Sequence, residues 1–275
     1  MEIDREEFIA NLGGAAAVNL MDSETKADAL EDYMSDALDE AVESNAAVAP
    51  TAQKKFPTAA EIEAQIPTRT FRRGVGNLFA QATNVQILEP LPVKPTLLDY
   101  FRLRFAPANH VLQSAALAMK NGMSEEIILA CLLHDTVQAL IKTDHGWWGA
   151  QLYEPYVSEK VAFAIRYHQT LRYYPDTKNG YEYPDLYRNM FGEDYKPPEY
   201  IEKTYKMLLK HQWYMLPRLV TVNDLYAFDP NQKVTIEPFL DIIGRQFKQP
   251  KEGLGFDSSP VAHMWRTIAR PDQPL

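Results

Sequence analysis

The sequence predicts an all-α fold on three observations. Apolar residues recur at steps of three and four through most of the chain after Leu97. No segment gives a strong strand signal of alternating apolar and polar side chains. Ahead of that stretch, Ala27, Leu30, Met34, Ala37, Leu38 and Ala41 form one apolar stripe on a helix that is otherwise polar.

Taken in order, residues 4–12 and 23–43 read as helices, with Asp4 and Ser23 as their N-caps. The stripe on the second needs a partner, either the main domain or another subunit of a homo-oligomer built through the N-terminal helices. Residues 44–55, SNAAVAPTAQKK, are small, polar and without periodicity, which marks a linker. The chain therefore divides into an acidic helical segment (1–45), a linker (46–60) and a helical domain (61–275). A short helix is expected near 58–65, then mostly loop. Further helices are expected near 107–122, 124–141, 145–153, 157–172, 198–209, 212–228 and 235–247. Asn121-Gly122 is a helix stop and Ser124-Glu125-Glu126 a helix start. Residues 173–197, rich in Tyr, Pro, Gly, Asp and Asn, read as a long loop of the kind that is functional or mobile. The tail after Pro250 is irregular.

The 275 residues are 46% hydrophobic, ample for a core. The chain has 28 basic and 37 acidic residues, a net charge of −9, but residues 1–45 alone hold 13 acidic and 2 basic side chains. That acidic head reads as a solvated helix pair. The body is nearly neutral, without the basic footprint of a nucleic-acid binder. No run of 18 apolar residues is present, so no membrane span is expected. The opening MEIDREEF lacks the basic start of an export signal. The single cysteine, Cys131, lies in an apolar run and reads as a small buried hydrophobe, which favours a reducing, cytoplasmic location.

The chemistry concentrates in six residues: His110, the pair His134-Asp135, His145, His168 and Asp224. They include four of the chain's six histidines; His211 and His263 show no partner pattern. Neutral imidazole and carboxylate together suit iron, manganese or zinc. Each lies on or beside a predicted helix, and facing helices of a bundle assemble metal sites in its interior. The pair His134-Asp135 ends a very apolar stretch, ACLLHD, where two polar groups must be satisfied by something.

The order H…HD…H…H…D resembles the dinuclear version of the HD-domain superfamily. The closer likeness is to the mixed-valent di-iron oxygenases, the group of myo-inositol oxygenase and the organophosphonate-cleaving enzymes. His110-Val-Leu-Gln113-Ser-Ala115 is similar to that family's H-x-L-Q-x-A, and His145-Gly-Trp-Trp-Gly149-Ala150 to its H-x-x-x-G-A. Arg172-Tyr173 follows the fourth His where the phosphonate enzymes have Lys-Arg-Tyr, and Asn223-Asp224-Leu225-Tyr226 is close to the Tyr-Asp-Leu-Tyr of inositol oxygenase. Gln138 stands where phosphonate enzymes often carry a His, and Phe228 where inositol oxygenase carries a Lys. The likeness covers about residues 97–245.

The resemblance implies an HD-type helical bundle with an N-terminal appendage. It also implies two iron ions, Fe(II)/Fe(III), with O2 as co-substrate. Asp135, having two oxygens, is the natural bridge. His110, His134 and Asp224 then complete one iron's ligands, and His145 and His168 the other's. Tyr100, ten residues before His110, occupies the open iron position in this reading until a small-molecule substrate arrives. Arg172, one helical turn after His168, is expected to bind an anionic group of the substrate, with Gln113 and Gln138 as further substrate contacts. Trp147 and Trp148 read as core or as cavity wall. The leading expectation is an oxygenase acting on a small polar substrate. A metal-dependent HD phosphohydrolase is the alternative enzyme, and a non-catalytic HD-like binding module the third reading.

Overall fold

The computed structural model describes residues 4–47, 92, 96–103, 109–138, 141, 143–181 and 186–248. The helix expected near 58–65, most of the linker and the tail after Pro250 lie outside the described residues. Twelve α-helices follow one another among the described residues: α1 (Arg5–Asn11), α2 (Ala15–Leu20), α3 (Ser23–Ala47), α4 (Leu97–Leu103), α5 (Asn109–Lys120), α6 (Glu125–Leu133), α7 (His145–Tyr153), α8 (Glu159–Leu171), α9 (Leu186–Phe191), α10 (Glu199–Leu208), α11 (Met215–Leu225) and α12 (Leu240–Gln246). Extended pairing among these residues is limited to one isolated bridge between Asp176 and Tyr181. The fold is all-α. None of these helices is long and apolar enough to cross a membrane.

The arrangement is built around α6. All seven residues from Ile127 to Leu133 are buried, Cys131 among them. A helix that is apolar on every side belongs in a core, and each Leu or Ile fully buried there contributes about 1.5–3 kcal/mol. Helix α8 packs on α6, α7 and α11, while α5 packs on α6 and α11. These five helices enclose the main apolar cluster, which also takes in Leu97, Tyr100 and Phe101 of α4.

The stripe on α3 finds its partner within the chain. Ala27, Leu30, Met34, Ala37 and Leu38 are buried, and α3 packs on α5. A second cluster joins α1 and α3 to the far side of the bundle through Phe8, Ala27, Leu30, Met34, Tyr173, Tyr187, Met190 and Ile201. The acidic segment is thus docked on the helical domain.

Most helix ends follow the sequence signals. Asp4 caps α1 by accepting from the Glu6 and Glu7 amides at 2.9 and 3.0 Å. At the end of α5, Gly122 adopts φ +66, with Gly122 N donating to Met119 O and Met123 N to Ala118 O at 3.0 and 3.1 Å. That is the paired-bond, left-handed helix stop that favours glycine. Three expectations are corrected. The cap of α3 is Asp22, not Ser23: Asp22 Oδ1 accepts from Thr25 N at 2.7 Å. Helix α6 ends at Leu133 instead of running to 141, because the Thr136 hydroxyl takes the Leu133 carbonyl at 2.9 Å and shares a short hydrogen bond with the Tyr153 hydroxyl. A side chain that competes for a helix carbonyl favours a turn. The segment 173–197 is not structureless. It holds α9, pinned by stacking of Tyr187 on Tyr173 and Tyr195 and by burial of Tyr187 and Met190.

Arg218 of α11 fixes the C-terminal end of α8. It is fully buried and donates to Leu171 O at 3.0 Å, Tyr174 O at 2.9 Å and the Tyr214 hydroxyl at 3.2 Å, with its guanidinium over the Tyr181 ring. Asp176 lies 3.6 Å away. Replacing Arg218 by Met takes a donor from the half-buried Tyr174 carbonyl and leaves Leu171 O with the Tyr174 amide alone at 3.2 Å, an expected loss of about 2 kcal/mol, readable by urea denaturation. A loss below about 0.5 kcal/mol, the level of an ordinary surface change, would remove Arg218 from the frame.

Candidate metal centre

Five elements deliver the six expected side chains to one place. His110 lies in the first turn of α5, His134 and Asp135 in the turn after α6, His145 at the start of α7, His168 in the last turn of α8 and Asp224 in that of α11. Two groups result that could each hold a metal ion: His110, His134, Asp135 and Asp224, and then Asp135, His145 and His168. Asp135 belongs to both, one oxygen to each. Its Oδ2 lies 3.4 Å from His110 Nε2 and 3.2 Å from His134 Nε2. Its Oδ1 lies 3.1 Å from His145 Nε2 and 3.3 Å from His168 Nε2. Asp224 Oδ1 closes the first group, 3.0 Å from His110 Nε2 and 3.7 Å from His134 Nε2.

Backbone carbonyls orient the imidazoles of His110, His134 and His168. The Nδ1 of His110 faces Ala227 O at 3.2 Å, that of His134 faces Cys131 O at 2.9 Å, and that of His168 faces Ile165 O at 2.6 Å. A carbonyl only accepts, so these nitrogens carry protons and, in the neutral rings, the inward Nε2 atoms carry lone pairs. Phe228 stacks on the His110 ring at 4.3 Å. His145 Nε2 and His168 Nε2 face each other at 3.3 Å. Buried His134 Nε2 and Asp135 Oδ1 have no hydrogen-bond partner among the described residues. Inward lone pairs and orphaned donor atoms fit a cation.

The same need for positive charge acts on protonation. Burial pushes the His110 and His145 imidazoles down, but Asp135, helped at His110 by Asp224, outweighs it and holds both at about 9. His134 is likewise held well above its ordinary value. His168 shifts the other way, because burial outweighs the pull of the nearby Asp135 carboxylate. Against their own burial, the imidazoles hold Asp135 and Asp224 well below the usual carboxylate range.

Glycines let the second group close. A methyl at Gly146 would lie 2.9 Å from Ile165 O and 3.1 Å from His168 Cε1, and one at Gly149 would lie 3.3 Å from Ile165 Cγ2. The motif's small residues are therefore the contact surface between α7 and α8.

The acids of α3 carry the signal that sequence reasoning missed. Glu24, Asp28 and Asp39 are buried, which corrects the reading of the acidic head as wholly solvated. Asp39 accepts from Asn109 Nδ2 at 3.0 Å, next to His110. Glu24 accepts from Asp144 N at 3.1 Å, next to His145. Asp28 accepts from Gln169 Nε2 at 2.8 Å and Arg172 Nη2 at 2.6 Å. Glu31 pairs with Arg172 Nη1 and accepts from the Tyr187 hydroxyl at 3.0 Å. Burial pushes the carboxyls of Glu24 and Glu31 up to about 7. The spacing of 24, 28 and 31 along one helical face was the available clue.

Arg172 is therefore buried in an ion pair with α3. It also lines a small cavity, about 30 Å³, with Glu31, Tyr181, Tyr187, Asp224 and Phe228. That is room for about two waters. Gln113 has other partners than those expected of a substrate contact: its amide donates to Asp229 O and Gln232 O at 2.8 and 2.7 Å and accepts from Asp229 N at 2.9 Å, holding the loop after α11. Gln138 is buried, its Nε2 without a partner among the described residues. Tyr100 is fully buried in the main apolar cluster. Trp147 and Trp148 are neither core nor cavity wall; they pack on each other at the surface, 39% and 44% exposed. His211, set aside in the sequence, stacks on Phe163.

No protein-family model matches the chain, and a search of curated proteins gives no significant match.

Two outcomes test this centre. Gly146→Ala should lower stability by about 1–3 kcal/mol through overpacking and reduce metal uptake by the His145–His168 group first. Thermal denaturation with metal analysis reads both, and unchanged values would contradict the tight approach of α7 to α8. Metal uptake should also release protons. Below the value of about 9 held by His110 and His145, the metal-free chain carries imidazolium at both. An arriving cation must displace those protons, so affinity should climb from pH 6.5 to 9, by about tenfold per pH unit for each proton displaced. Chelator competition across that window checks the slope, and a flat profile contradicts it.

Proposed function

We propose that this chain is an HD-type di-iron oxygenase, using O2 to oxidise or cleave a small polar substrate. The observation that carries the reading is the division of Asp135, one oxygen toward His110 and His134 and the other toward His145 and His168. A one-metal hydrolase has no use for the second pair of histidines, and a non-catalytic module has no use for either.

The ligand sets follow from the two groups: His110, His134, Asp135 and Asp224 for one ion, and Asp135, His145 and His168 for the other. The second set has fewer protein donors, which leaves positions for exogenous ligands. Iron at these positions would supply Lewis acidity toward a substrate oxygen and one-electron chemistry toward dioxygen. The protein's own part is placement and shielding. Backbone carbonyls hold three imidazoles in register, Phe228 stacks on the His110 ring, and acids of α3 lie beside His145. Arg172 offers a planar fork suited to a carboxylate or phosphonate on the substrate. The adjoining cavity of about 30 Å³ takes such a group only if Glu31 swings away from the guanidinium.

Anaerobic purification with iron, followed by metal analysis and electron paramagnetic resonance, tests the reading. Wild type should hold close to two irons per chain and give a half-integer-spin signal from a mixed-valent pair. Asp135→Ala should lose both ions, and His168→Ala one. Oxygen consumption should accompany substrate turnover. Cleavage of phosphate esters without oxygen, driven by manganese, would replace this reading with a metal-dependent phosphohydrolase.

A further inference from the structure

Glu31 fills a place whose donors suit a carboxylate from outside the chain. Its two oxygens are held separately. Arg172 Nη1 pairs with Oε2, and the Tyr187 hydroxyl donates to Oε1 at 3.0 Å. Both donors have other anchors. Arg172 Nη2 donates to Asp28 Oδ1 at 2.6 Å and to the Tyr173 hydroxyl at 3.1 Å, and the Tyr187 ring stacks on Tyr173 and Tyr195. A further donor of the same guanidinium, Nε, is buried and has no hydrogen-bond partner among the described residues. The two acids on Arg172 differ in access. The Asp28 side chain is 2% exposed and also accepts from Gln169, whereas that of Glu31 is 16% exposed. Glu31 is therefore the partner able to leave, and Asp28 the fixed counter-charge. Glu31, Arg172, Tyr187 and Asp224 line the cavity of about 30 Å³, so the pair forms the wall of an existing space beside the first metal group.

We propose that Glu31 is an internal stand-in for a carboxylate of the substrate, which displaces it from Arg172 and Tyr187 on binding. That the ligand is a substrate rests on the oxygenase reading above. The exchange replaces one carboxylate by another, so the charge and the hydrogen bonds of the cavity are conserved while Glu31 is rehydrated. It needs only a side-chain rotation, because Asp28, one turn earlier on α3, keeps its own bonds to the bundle. A planar group with two oxygens matches the guanidinium arm and the tyrosine hydroxyl. A phosphonate fits less well, since it carries more negative charge. Among the described residues, Arg172 is the one cation on the cavity wall, Asp224 lies on the same wall, and Asp28 already takes part of the guanidinium. Like charges that near repel strongly where water is scarce. Glu31 thereby sets specificity: a ligand with no anionic group leaves it in place, and the cavity then has room for about two waters.

Acetate and methylphosphonate are the probes, since they share a methyl group and differ in the anion. Their binding to the iron-loaded full chain, kept anaerobic, is measured by isothermal titration calorimetry at constant ionic strength, with iron content checked for every variant. Glu31→Gln removes the competing charge and keeps the side chain's length. It should bind acetate about 10- to 100-fold more tightly than wild type, the range for one hydrogen bond to a charged group. Glu31→Asp keeps the charge but is a methylene shorter, so it should also bind more tightly, and it carries the test if Glu31→Gln does not fold. Adding Arg172→Lys to Glu31→Gln should remove most of the gain, because an ammonium lacks the planar fork. Methylphosphonate should bind Glu31→Gln more weakly than acetate does. Acetate binding in Glu31→Gln and Glu31→Asp no tighter than in wild type overturns the inference. So does a gain untouched by Arg172→Lys, which would put the acetate on the metal. Methylphosphonate binding as tight as that of acetate overturns the selectivity for a carboxylate. A chain with fewer than two irons that still shows the gain keeps this site and loses the oxygenase reading, whereas two irons without the gain lose this inference alone.

Discussion

One buried carboxylate organises this protein. Asp135 sits at the end of a helix with no polar side chain along its last seven residues, in a setting where an unpaired charge is prohibitively costly. Four imidazoles and a second carboxylate are gathered around it. The set is arranged for positive charge, and in the metal-free chain protons fill part of that need. Elements far apart in sequence are thereby fixed at one point: the beginnings of α5 and α7, the ends of α6, α8 and α11. The helical packing brings them near, and the electrostatics of Asp135 makes only one arrangement acceptable.

A second charge system lies against the first. Arg172 is surrounded by Asp28, Glu31 and the Tyr173 ring, and Asp28 also faces His145. Buried ion pairs contribute little net stability, because desolvation offsets most of the attraction, but they are strict about geometry. That strictness explains why α3 docks in one register. A slip of one residue along the stripe would leave Asp28 and Glu31 facing apolar neighbours and Arg172 without a counter-charge.

Much of this was readable in the sequence because its signals are local. The apolar run 127–133 and the adjacent His-Asp pair announce a buried polar group, and helical spacing places the other ligands on neighbouring helices. The glycines at 146 and 149 stand in a recognisable pattern, and their purpose becomes plain once α7 meets α8. What stayed hidden depends on contacts across the whole chain. The bonds from Asp28 to Gln169 and Arg172 span 141 and 144 residues, and an acid beside an apolar stripe looks like any solvated helix edge. Helix α9 is held by stacked tyrosines, a tertiary cause that periodicity does not register. The early end of α6 depends on one hydroxyl, that of Thr136, and its partner on α7.

The docking of α3 reverses the order of synthesis and the order of completion. Its residues leave the ribosome before any of the six convergent side chains, yet the surface it binds exists only when α5, α7, α8 and α11 have come together. Loop closure over such a span is slow relative to local helix formation. Until it closes, the interior remains open to solvent on the side of His145 and Arg172. A helix made before the six side chains thus completes its docking only after they have converged.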